Sequence, residues 1–337
     1  MKLYNVGILG ATGAVGREMI RVLEERKYPV SELRPLASAR SAGKRIRFQG
    51  NDILIREASH DSFKGLDIVL GAADNEIART YAPSILDAGA VFIDNSSAFR
   101  LQEDVPLVVP EINPDDVKTH RGIIANPNCT TIISLVAING LRKASAIESI
   151  VASSYQAVSG AGAAGLTELD AQMHALCEGE QVNIKTFPYQ IAYNVIPQIG
   201  GEAYLGYTSE EMKLQNEGRK IMHLPEMRVS CTCVRVPVMR SHSVSLLVRT
   251  HDVITVEQAR KLIADAPGCR LVDDLQSRKY PMPLDTSDQD LVFVGRIRPD
   301  LIEEKGLNIW CCGDQIRKGA ATNAVQIAEI LTKSNIR

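Results

Sequence analysis

A glycine-rich turn near the N-terminus constrains the fold of this chain more than any other feature. The segment Gly10–Gly16, with the sequence GATGAVG, follows the apolar segment Tyr4–Leu9 and leads into the amphipathic segment Gly16–Glu25. Glycines permit a tight turn and a close approach of backbone to ligand, and the next helix offers free N–H groups and a positive dipole end. This order predicts a dinucleotide-binding site, with a tight turn that binds nothing as the alternative. The glycines predicted to shape this cofactor-binding turn are Gly10, Gly13 and Gly16.

The rest of the first half alternates short apolar segments with amphipathic ones. This alternation predicts a parallel sheet with helices on both faces. The predicted strands are Tyr4–Leu9, Leu33–Ala37, Asp67–Leu70, Val91–Ile93 and Ile123–Ala125, and the predicted helices are Gly16–Glu25 and Glu76–Ala88. The expected fold class is therefore α/β, with a Rossmann-type doubly wound sheet at the N-terminus.

The pattern changes after about residue 128, and a length of 337 residues is expected to form about two domains. A helix is predicted over Thr130–Arg142, and the longer alternating segments that follow predict an antiparallel sheet with one covered face. The strands of this α+β domain are predicted at Ile147–Gln156, Met227–Val236 and His242–Thr250, and a last helix at Ala321–Thr332. The link Pro237–Ser241 predicts a hairpin that brings Arg235 and His242 to one edge of the sheet.

Composition argues against several classes of protein. The chain has 38 Lys+Arg, 40 Asp+Glu and a net charge of -2, whereas a dedicated nucleic-acid binder is usually basic. No apolar run approaches the ~18 residues of a membrane span, and the N-terminus lacks the pattern of a signal peptide. The seven cysteines lack paired C-x-x-C motifs, so we expect reduced thiols in a cytoplasmic protein and no metal.

The segment after the second predicted strand distinguishes between two nicotinamide cofactors. An NAD site usually has an acidic residue there for the ribose 2′-hydroxyl, but the segment Leu36–Lys44 contains no carboxylate. Ser38, Arg40 and Ser41 would instead suit a 2′-phosphate, which favours NADP. A solvated basic turn is the alternative.

A cysteine follows the last strand of the first domain at the start of a predicted helix. Asn128 is a good N-cap candidate, which places Cys129 in the first helical turn. The helix dipole favours a thiolate there, and a thiolate beside a nicotinamide suggests aldehyde or acyl chemistry through a thioester. Most cysteines are simply small buried side chains, so position alone leaves both interpretations open.

These segments together resemble the aspartate-β-semialdehyde dehydrogenase family, over almost the whole chain. The motifs that carry the resemblance are Gly10–Gly16, Ser38–Lys44, Asp94–Arg100, Asn126–Thr131, Ser154–Gly162, Glu210–Lys213, Arg235–His242 and Gly319–Asn323. The resemblance implies a fold like that of glyceraldehyde-3-phosphate dehydrogenase, with an NADP-binding domain over residues 1–127 and a catalytic and dimerisation domain over 128–317. The last helix, within residues 318–337, is expected to return to the first domain, and the protein is expected to be a homodimer.

The resemblance also implies a reaction and a role for each matching residue. Family members convert L-4-aspartyl phosphate to L-aspartate 4-semialdehyde with NADPH and release phosphate, a step toward lysine, methionine and threonine. Cys129 is implied as the nucleophile, His242 as the general acid/base, and Gln156 as the residue that orients the intermediate. The implied substrate-binding residues are Arg235 for the carboxylate, Glu210 for the amino group, and Arg100, Asn128 and Lys213 for the phosphate. The residues implied to line the cofactor are Thr12, Gly13, Ala14 and Val15 of the glycine turn, together with Arg40, Ser41, Ser159, Gly160 and Asn323.

Two features of the sequence leave alternatives open. The family commonly has a serine-rich turn after the strand Asp67–Leu70, but here Asp74 and Glu76 add two carboxylates, which puts the cofactor affinity in doubt. The pair Glu217 and Lys220 repeats the spacing of Glu210 and Lys213, and without the resemblance either pair is typical of a solvated helix surface.

Two other functions compete with the one implied. An N-acetyl-γ-glutamyl-phosphate reductase would use similar cysteine chemistry, but its substrate lacks the free amino group that a carboxylate at Glu210 would bind. A non-catalytic homologue could keep the fold as a binding protein. The presence of both Cys129 and His242 argues against the second alternative.

Overall fold

The computed structural model describes residues 2–334, which form two compact units. The first unit ends at Asn128 and resumes at Ala320, and the second is the continuous segment Cys129–Gly319.

The first unit contains a six-stranded parallel sheet, as the alternating pattern predicted. Its strands and the adjoining two-stranded ribbon of β3 and β4 are β1 (Tyr4–Leu9), β2 (Val30–Ala37), β3 (Arg45–Phe48), β4 (Asn51–Leu54), β5 (Arg56–Glu57), β6 (Ile68–Gly71), β7 (Val91–Asp94) and β8 (Ile123–Ala125). The helices between these strands are α1 (Ala14–Glu25) and α2 (Asn75–Asp87).

The strand order β5-β2-β1-β6-β7-β8 places the glycine turn where the order of the sheet reverses. Strand β1 pairs with β2 on one side, through Ile8 and Pro35, and with β6 on the other, through Ile8 and Leu70. In doubly wound sheets, ligands bind beyond the carboxyl ends of the strands at such a reversal. The turn that follows β1 therefore lies at the position where this fold places a cofactor.

The second unit contains a six-stranded sheet of order β12-β9-β13-β16-β15-β14 and a short ribbon of β10 and β11. Its strands are β9 (Ile147–Gln156), β10 (Glu202–Tyr204), β11 (Tyr207–Thr208), β12 (Arg228–Arg235), β13 (His242–Thr250), β14 (Cys269–Leu271), β15 (Val292–Pro299) and β16 (Gly306–Gly313). Its helices are α3 (Cys129–Asn139), α4 (Gly162–Glu178), α5 (Ser209–Met222), α6 (Val256–Ala264) and α7 (Pro283–Thr286). The helix predicted to reach Arg142 is α3, whose last turn tightens into a 3₁₀ turn over Gly140–Lys143.

Two expectations for this sheet are wrong. The sheet is mixed rather than antiparallel, because β12 runs parallel to β9 and β14 runs parallel to β15. Strands β12 and β13 do not form a hairpin, because β9 lies between them and pairs with both. The link between them bonds instead to the chain that leaves β9: the N–H groups of Val158 and Ser159 donate to the carbonyls of Val238 and Met239.

The last helix, α8 (Thr322–Ser334), packs in the first unit, as expected for a returning C-terminal helix. Its residues Val325, Ile327 and Leu331 belong to the same buried core as β1, β6 and α1. Arg26, at the end of α1, forms a two-pronged ion pair with Glu329, with N–O distances of 2.7 and 2.8 Å. The first unit is therefore built from both ends of the chain.

Candidate active site

The glycine turn has a shape that only glycine permits at two of its positions. Gly10 has φ +90°, and a Cβ built there would lie 2.6 Å from the carbonyl oxygen of Ala72. A Cβ at Gly16 would lie 2.2 Å from the carbonyl oxygen of Gly10. Gly13 is the N-cap of α1 and has no side chain to satisfy the first N–H groups of the helix. A close turn followed by an uncapped helix N-terminus fits the pyrophosphate of a dinucleotide.

The turn after β2 carries the residues predicted to select the cofactor. A short 3₁₀ turn spans Ala39–Ser41; the side chains of Ser38 and Arg40 are exposed, and Ser41 is buried. The exposed guanidinium of Arg40 is accessible to an anion.

The two carboxylates of the unusual turn after β6 begin the helix α2. The Asp74 side chain is the N-cap and accepts the N–H of Ile77 at 3.0 Å, and Glu76 lies in the first helical turn. Negative charges at these positions stabilise a helix, because they interact favourably with the N–H groups and the dipole at its N-terminal end. Stabilisation of α2 is therefore a physical reason for both residues that does not involve a ligand.

The loop after β7 holds the arginine predicted to bind phosphate. Arg100 is buried, and its Nη2 donates to the carbonyl of Asn95 at 2.8 Å. Asp94, at the end of β7, accepts hydrogen bonds from the backbone and the hydroxyl of Ser96, and burial raises the pKa of this carboxyl.

Three asparagines of the first unit form a chain of side-chain hydrogen bonds. Asn323 Nδ2 donates to Asn126 Oδ1 at 2.6 Å, and Asn126 Nδ2 donates to Asn95 Oδ1 at 2.6 Å. Asn323 is fully buried, and its amide also donates to the carbonyl of Val108. Asn323, which was predicted to line the cofactor, therefore connects α8 to the ends of β7 and β8. Asn128 is buried directly before α3.

In the second unit, three predicted residues meet at the ends of adjacent strands. Gln156 is the last residue of β9 and pairs in register with Arg235, the last residue of β12. His242 is the first residue of β13, and its neighbour Ser243 pairs with Tyr155 on the other side of β9. All three side chains are buried. The mixed sheet therefore brings them to one edge by strand pairing, without the hairpin that the sequence predicted.

Arg235 combines burial with nearby opposite charges. Its Nη1 donates to the carbonyl of Ala157 at 2.7 Å, and its guanidinium lies 5.9 Å from the centre of the Phe187 ring. Burial lowers the pKa of Arg235, while the negative charges of Cys129 and Glu210 act in the opposite direction. A thiolate at Cys129 would interact favourably with this guanidinium.

His242 is fully buried and held in one tautomer. Its Nδ1 accepts the backbone N–H of Ala157 at 3.1 Å, so the neutral ring carries its proton on Nε2. Burial, followed by the positive charge of Arg235, lowers the pKa of His242 to about 3. Nε2 has no hydrogen-bond partner among residues 2–334, so it is the ring nitrogen available to a substrate.

Helix α5 brings the first of the two predicted ion pairs to this cluster. Lys213 Nζ lies 2.8 Å from Glu210 Oε2, and Gln156 Nε2 lies 3.4 Å from Glu210 Oε1. The pair is largely buried, in contrast to a solvated surface pair. Glu217, of the second predicted pair, is also buried further along the helix.

The segment after β9 contacts Arg235 and His242. A Cβ at Gly160 would lie 2.6 Å from Arg235 Nη1 and 3.4 Å from His242 Cε1, so a larger residue would displace the guanidinium. The Ser159 hydroxyl accepts a hydrogen bond from Gln315. Both residues, predicted to line the cofactor, form part of the wall of this cluster.

Several residues that shape the cluster were not predicted from the sequence. Glu211 forms a capping box with Thr208 and also accepts the N–H of Cys233, which fixes α5 to β12. Cys129 is the first residue of α3 and is half-buried; a Cβ at Gly319 would lie 2.8 Å from its Cβ. The capping pattern T-x-x-E was a local signal for Glu211, and Gly319 begins one of the matching motifs, whereas Gln315 gave no signal.

Among the described residues, the remaining cysteines form no disulfide bond, and most are buried. Cys231 and Cys233 lie on one face of β12 with their sulfur atoms 3.7 Å apart. Within the part of the chain that the structure describes, no three His, Cys, Asp or Glu side chains are grouped to hold a metal ion. No helix between residues 2 and 334 has the length and apolar character needed to cross a bilayer.

Comparison with protein families matches both units to one enzyme class. Residues 5–120 match the semialdehyde dehydrogenase NAD-binding domain, and residues 138–318 match the semialdehyde dehydrogenase dimerisation domain. Aspartate-semialdehyde dehydrogenase of Aquifex aeolicus is 49% identical over 99% of both chains, and that of Bacillus subtilis is 45% identical over 98% of both.

Solved structures of similar proteins extend the match to the fold. Aspartate semialdehyde dehydrogenase II from Vibrio cholerae, complexed with ASA, is 44% identical, superimposes with a TM-score of 0.96, and the match covers 99% of each chain. The enzyme from Candida albicans with NADP is 25% identical, with a TM-score of 0.79 and full coverage of both chains.

Proposed function

The chain belongs to the aspartate-semialdehyde dehydrogenase family, and we propose that it reduces L-4-aspartyl phosphate to L-aspartate 4-semialdehyde with NADPH, through a thioester on Cys129. The observation that carries the assignment of residues is the meeting of Gln156, Arg235 and His242 at three adjacent strand ends. The same sheet edge receives Glu210 from α5.

Chemistry at Cys129 begins with attack of the thiolate on the acyl carbon of the substrate. The carbon–oxygen bond to phosphate breaks, and a thioester forms. Reduction of the thioester carbon requires a hydride, which bound NADPH would supply, and the hemithioacetal on Cys129 then collapses to the aldehyde and the thiolate. The N-terminus of α3 and the guanidinium of Arg235 stabilise the thiolate. His242 exchanges protons with the substrate through Nε2, and Gln156 orients the acyl group.

Recognition of the substrate uses charges of both signs. Arg235 is assigned to the substrate carboxylate, which a guanidinium can bind with two parallel hydrogen bonds. Glu210, held by Lys213 and Gln156, is assigned to the amino group. Phosphate binding is assigned to Arg100, Asn128 and Lys213. A carboxylate for a free amino group favours this substrate over an N-acetylated one, in agreement with the names of the relatives.

The substrate assignment can be tested in the reverse direction with purified protein. Reduction of NADP should require phosphate and L-aspartate 4-semialdehyde, and N-acetylglutamate semialdehyde should support less than about 1% of that rate because Glu210 would be left without an ammonium partner. The measurement is absorbance of the reduced cofactor. Comparable rates with the two aldehydes would reject the proposed substrate, and inactivity with both would favour a binding protein.

NADP is proposed as the cofactor because Arg40 is exposed beside Ser38 and Ser41, without a carboxylate in the segment Leu36–Lys44. The native protein should therefore show a higher kcat/KM with NADP than with NAD, and Arg40→Ala should reduce this ratio by about tenfold or more, the loss of one charge-assisted hydrogen bond. Activity with NAD provides the internal control, since Arg40→Ala should leave it unchanged. Equal use of both cofactors by the native protein would contradict the assignment.

The protein is proposed to act as a homodimer in the cytoplasm. Val151 and Tyr155 of β9 are exposed on one face of the mixed sheet, and the Tyr155 ring lies 5.6 Å from that of Trp310. An exposed apolar sheet face of this kind is typical of a subunit interface, and the unit matches a dimerisation domain. Seven cysteines without a disulfide bond among the described residues agree with a reducing compartment.

A further inference from the structure

One short segment of the second unit, Asp314–Gly319, contacts both the residue before His242 and the first residue of α3. It follows β16 and has no assigned role in the chemistry described above. Gln315 lies at one end of the segment and Gly319 at the other. Their contacts connect the segment to two elements that are distant in sequence.

At one end, Gln315 fixes the backbone that precedes His242. Gln315 is buried; its Oε1 accepts the N–H of Ser241 at 2.8 Å, and its Nε2 donates to the Ser159 hydroxyl. Ser241 has φ +75°, a conformation that non-glycine residues adopt only when their surroundings impose it. Gln315 therefore connects the Ser241 backbone to the segment whose Ala157 N–H orients the His242 ring.

At the other end, Gly319 lies against the backbone of Cys129. A Cβ at Gly319 would approach the Cys129 Cβ to 2.8 Å and its Cα to 3.2 Å. Neither atom belongs to the flexible end of a side chain, so a larger residue at 319 would have to displace the first residue of α3. Position 319 therefore requires glycine because there is no room for a Cβ, and not because of its φ angle.

Asp314 holds the two ends in one conformation. Its Oδ1 accepts the N–H groups of Ile316 and Arg317, and its carbonyl accepts the N–H of Gly319 at 3.0 Å. Its Oδ2 pairs with Arg240 Nε at 2.6 Å, one residue before Ser241. The buried carboxylate thus connects the turn to the same link that Gln315 binds.

From these contacts we infer that Asp314–Gly319 is a positioning segment that sets Cys129 relative to His242. Gln315 and Gly319 are its positioning residues: neither reacts, and each fixes the backbone next to one of the two reacting side chains. This inference rests on the proposed function for the roles of Cys129 and His242. Because misplacement of a reacting group by about 1 Å can cost about 100-fold in rate, small displacements at either end should be measurable.

The test compares Gln315→Met, Gly319→Ala and the double variant. Gly319→Ala should lower kcat by about 100-fold and alter the rate at which iodoacetamide alkylates Cys129. Gln315→Met should lower kcat by about tenfold, through lost hydrogen bonds, while leaving alkylation of Cys129 unchanged. The KM for the aldehyde should stay within about twofold in both, because neither residue is assigned to the substrate. The double variant should lose less activity than the product of the single losses, as expected for residues that act through one segment.

Two matched controls carry the same substitutions where the structure gives no such contacts. Gly201 has open space for a Cβ, and Gln198 is exposed, so Gly201→Ala and Gln198→Met should retain the native kcat. Native kcat in Gln315→Met and Gly319→Ala, or strictly multiplicative losses in the double variant, would overturn the inference. If thermal unfolding shows that Gly319→Ala fails to fold, the kcat of Gln315→Met alone tests the inference, and a native kcat in that variant overturns it. Full activity in Cys129→Ala would instead refute the proposed function itself.

Discussion

Replacement of Cys129 by alanine is expected to abolish turnover, to below about 10⁻⁴ of the native rate, while the fold and cofactor binding remain intact. The loss is this large because the sulfur atom carries the acyl group through the whole reaction. Alanine at the first position of α3 removes no hydrogen bond from the helix backbone and has the highest helix propensity. Steady-state rates and NADP binding by fluorescence, measured on the same preparation, separate loss of chemistry from loss of structure.

Two further measurements identify the sulfur as the reacting atom. Cys129→Ser should be severely impaired, since a hydroxyl is far less ionised than a thiol at neutral pH. Mass spectrometry of protein mixed with L-4-aspartyl phosphate in the absence of NADPH should find an acyl adduct on Cys129. The buried thiols of Cys231, Cys233, Cys311 and Cys312 serve as internal controls and should stay unmodified. An adduct on another residue would refute the thioester mechanism.

His242→Ala is expected to lower kcat by about 10²–10⁴-fold, the usual contribution of general acid–base catalysis.

Burial of the His242 ring leads to a second, independent prediction, which concerns the stability of the protein. Because burial lowers the pKa of His242 in the folded protein to about 3, the unfolded chain, with a pKa near 6.5, binds more protons between these values. The free energy of unfolding should therefore fall as the pH drops from 6.5 toward 3, by up to about 1.4 kcal/mol per pH unit from this residue.

Urea unfolding at pH 5 and pH 7 measures this effect. The native protein should lose more stability between the two pH values than His242→Asn, which cannot titrate in this range. The exposed His174 provides a matched control. In His174→Asn, the free energy of unfolding should depend on pH as steeply as in the native protein. Identical pH dependence in the native protein and His242→Asn would show that the histidine is not held neutral in the folded state.

Local patterns predicted much of the fold, and long-range contacts account for what they missed. Five strands of the first unit, the helix start near Cys129 and the strand end at Gln156 follow from apolar periodicity and turn residues near each other in sequence, whereas the short strands β3, β4 and β5 were not predicted. The insertion of β9 between β12 and β13 depends on pairing between residues about 80 positions apart in the sequence. The short link Pro237–Ser241 contains no local signal for this pairing. Register in such a sheet is set by the burial of one face rather than by the connection.

In the candidate site, too, local sequence patterns predicted some features and long-range contacts determine the others. The positions of Cys129 and His242 in their elements were predicted, because each lies at the end of a periodic segment. The contacts of Gln315 were not, since its partners Ser159 and Ser241 lie 156 and 74 residues away. A single glutamine in a turn carries no sequence signal for such partners. The role of Asp74 as a helix cap could have been predicted, because an aspartate directly before an amphipathic segment is a common N-cap.

The construction of the first unit from both ends of the chain has a consequence for its synthesis. On the ribosome, the strands β1–β8 emerge first, but the apolar face that α8 covers stays open until all of Cys129–Gly319 has been translated. At typical elongation rates this delay is roughly 10 to 40 seconds, long compared with the collapse of a domain. The second unit, which is continuous, has no such delay and can complete its core earlier. During translation, the nascent first unit therefore keeps this apolar face exposed until the last helix docks.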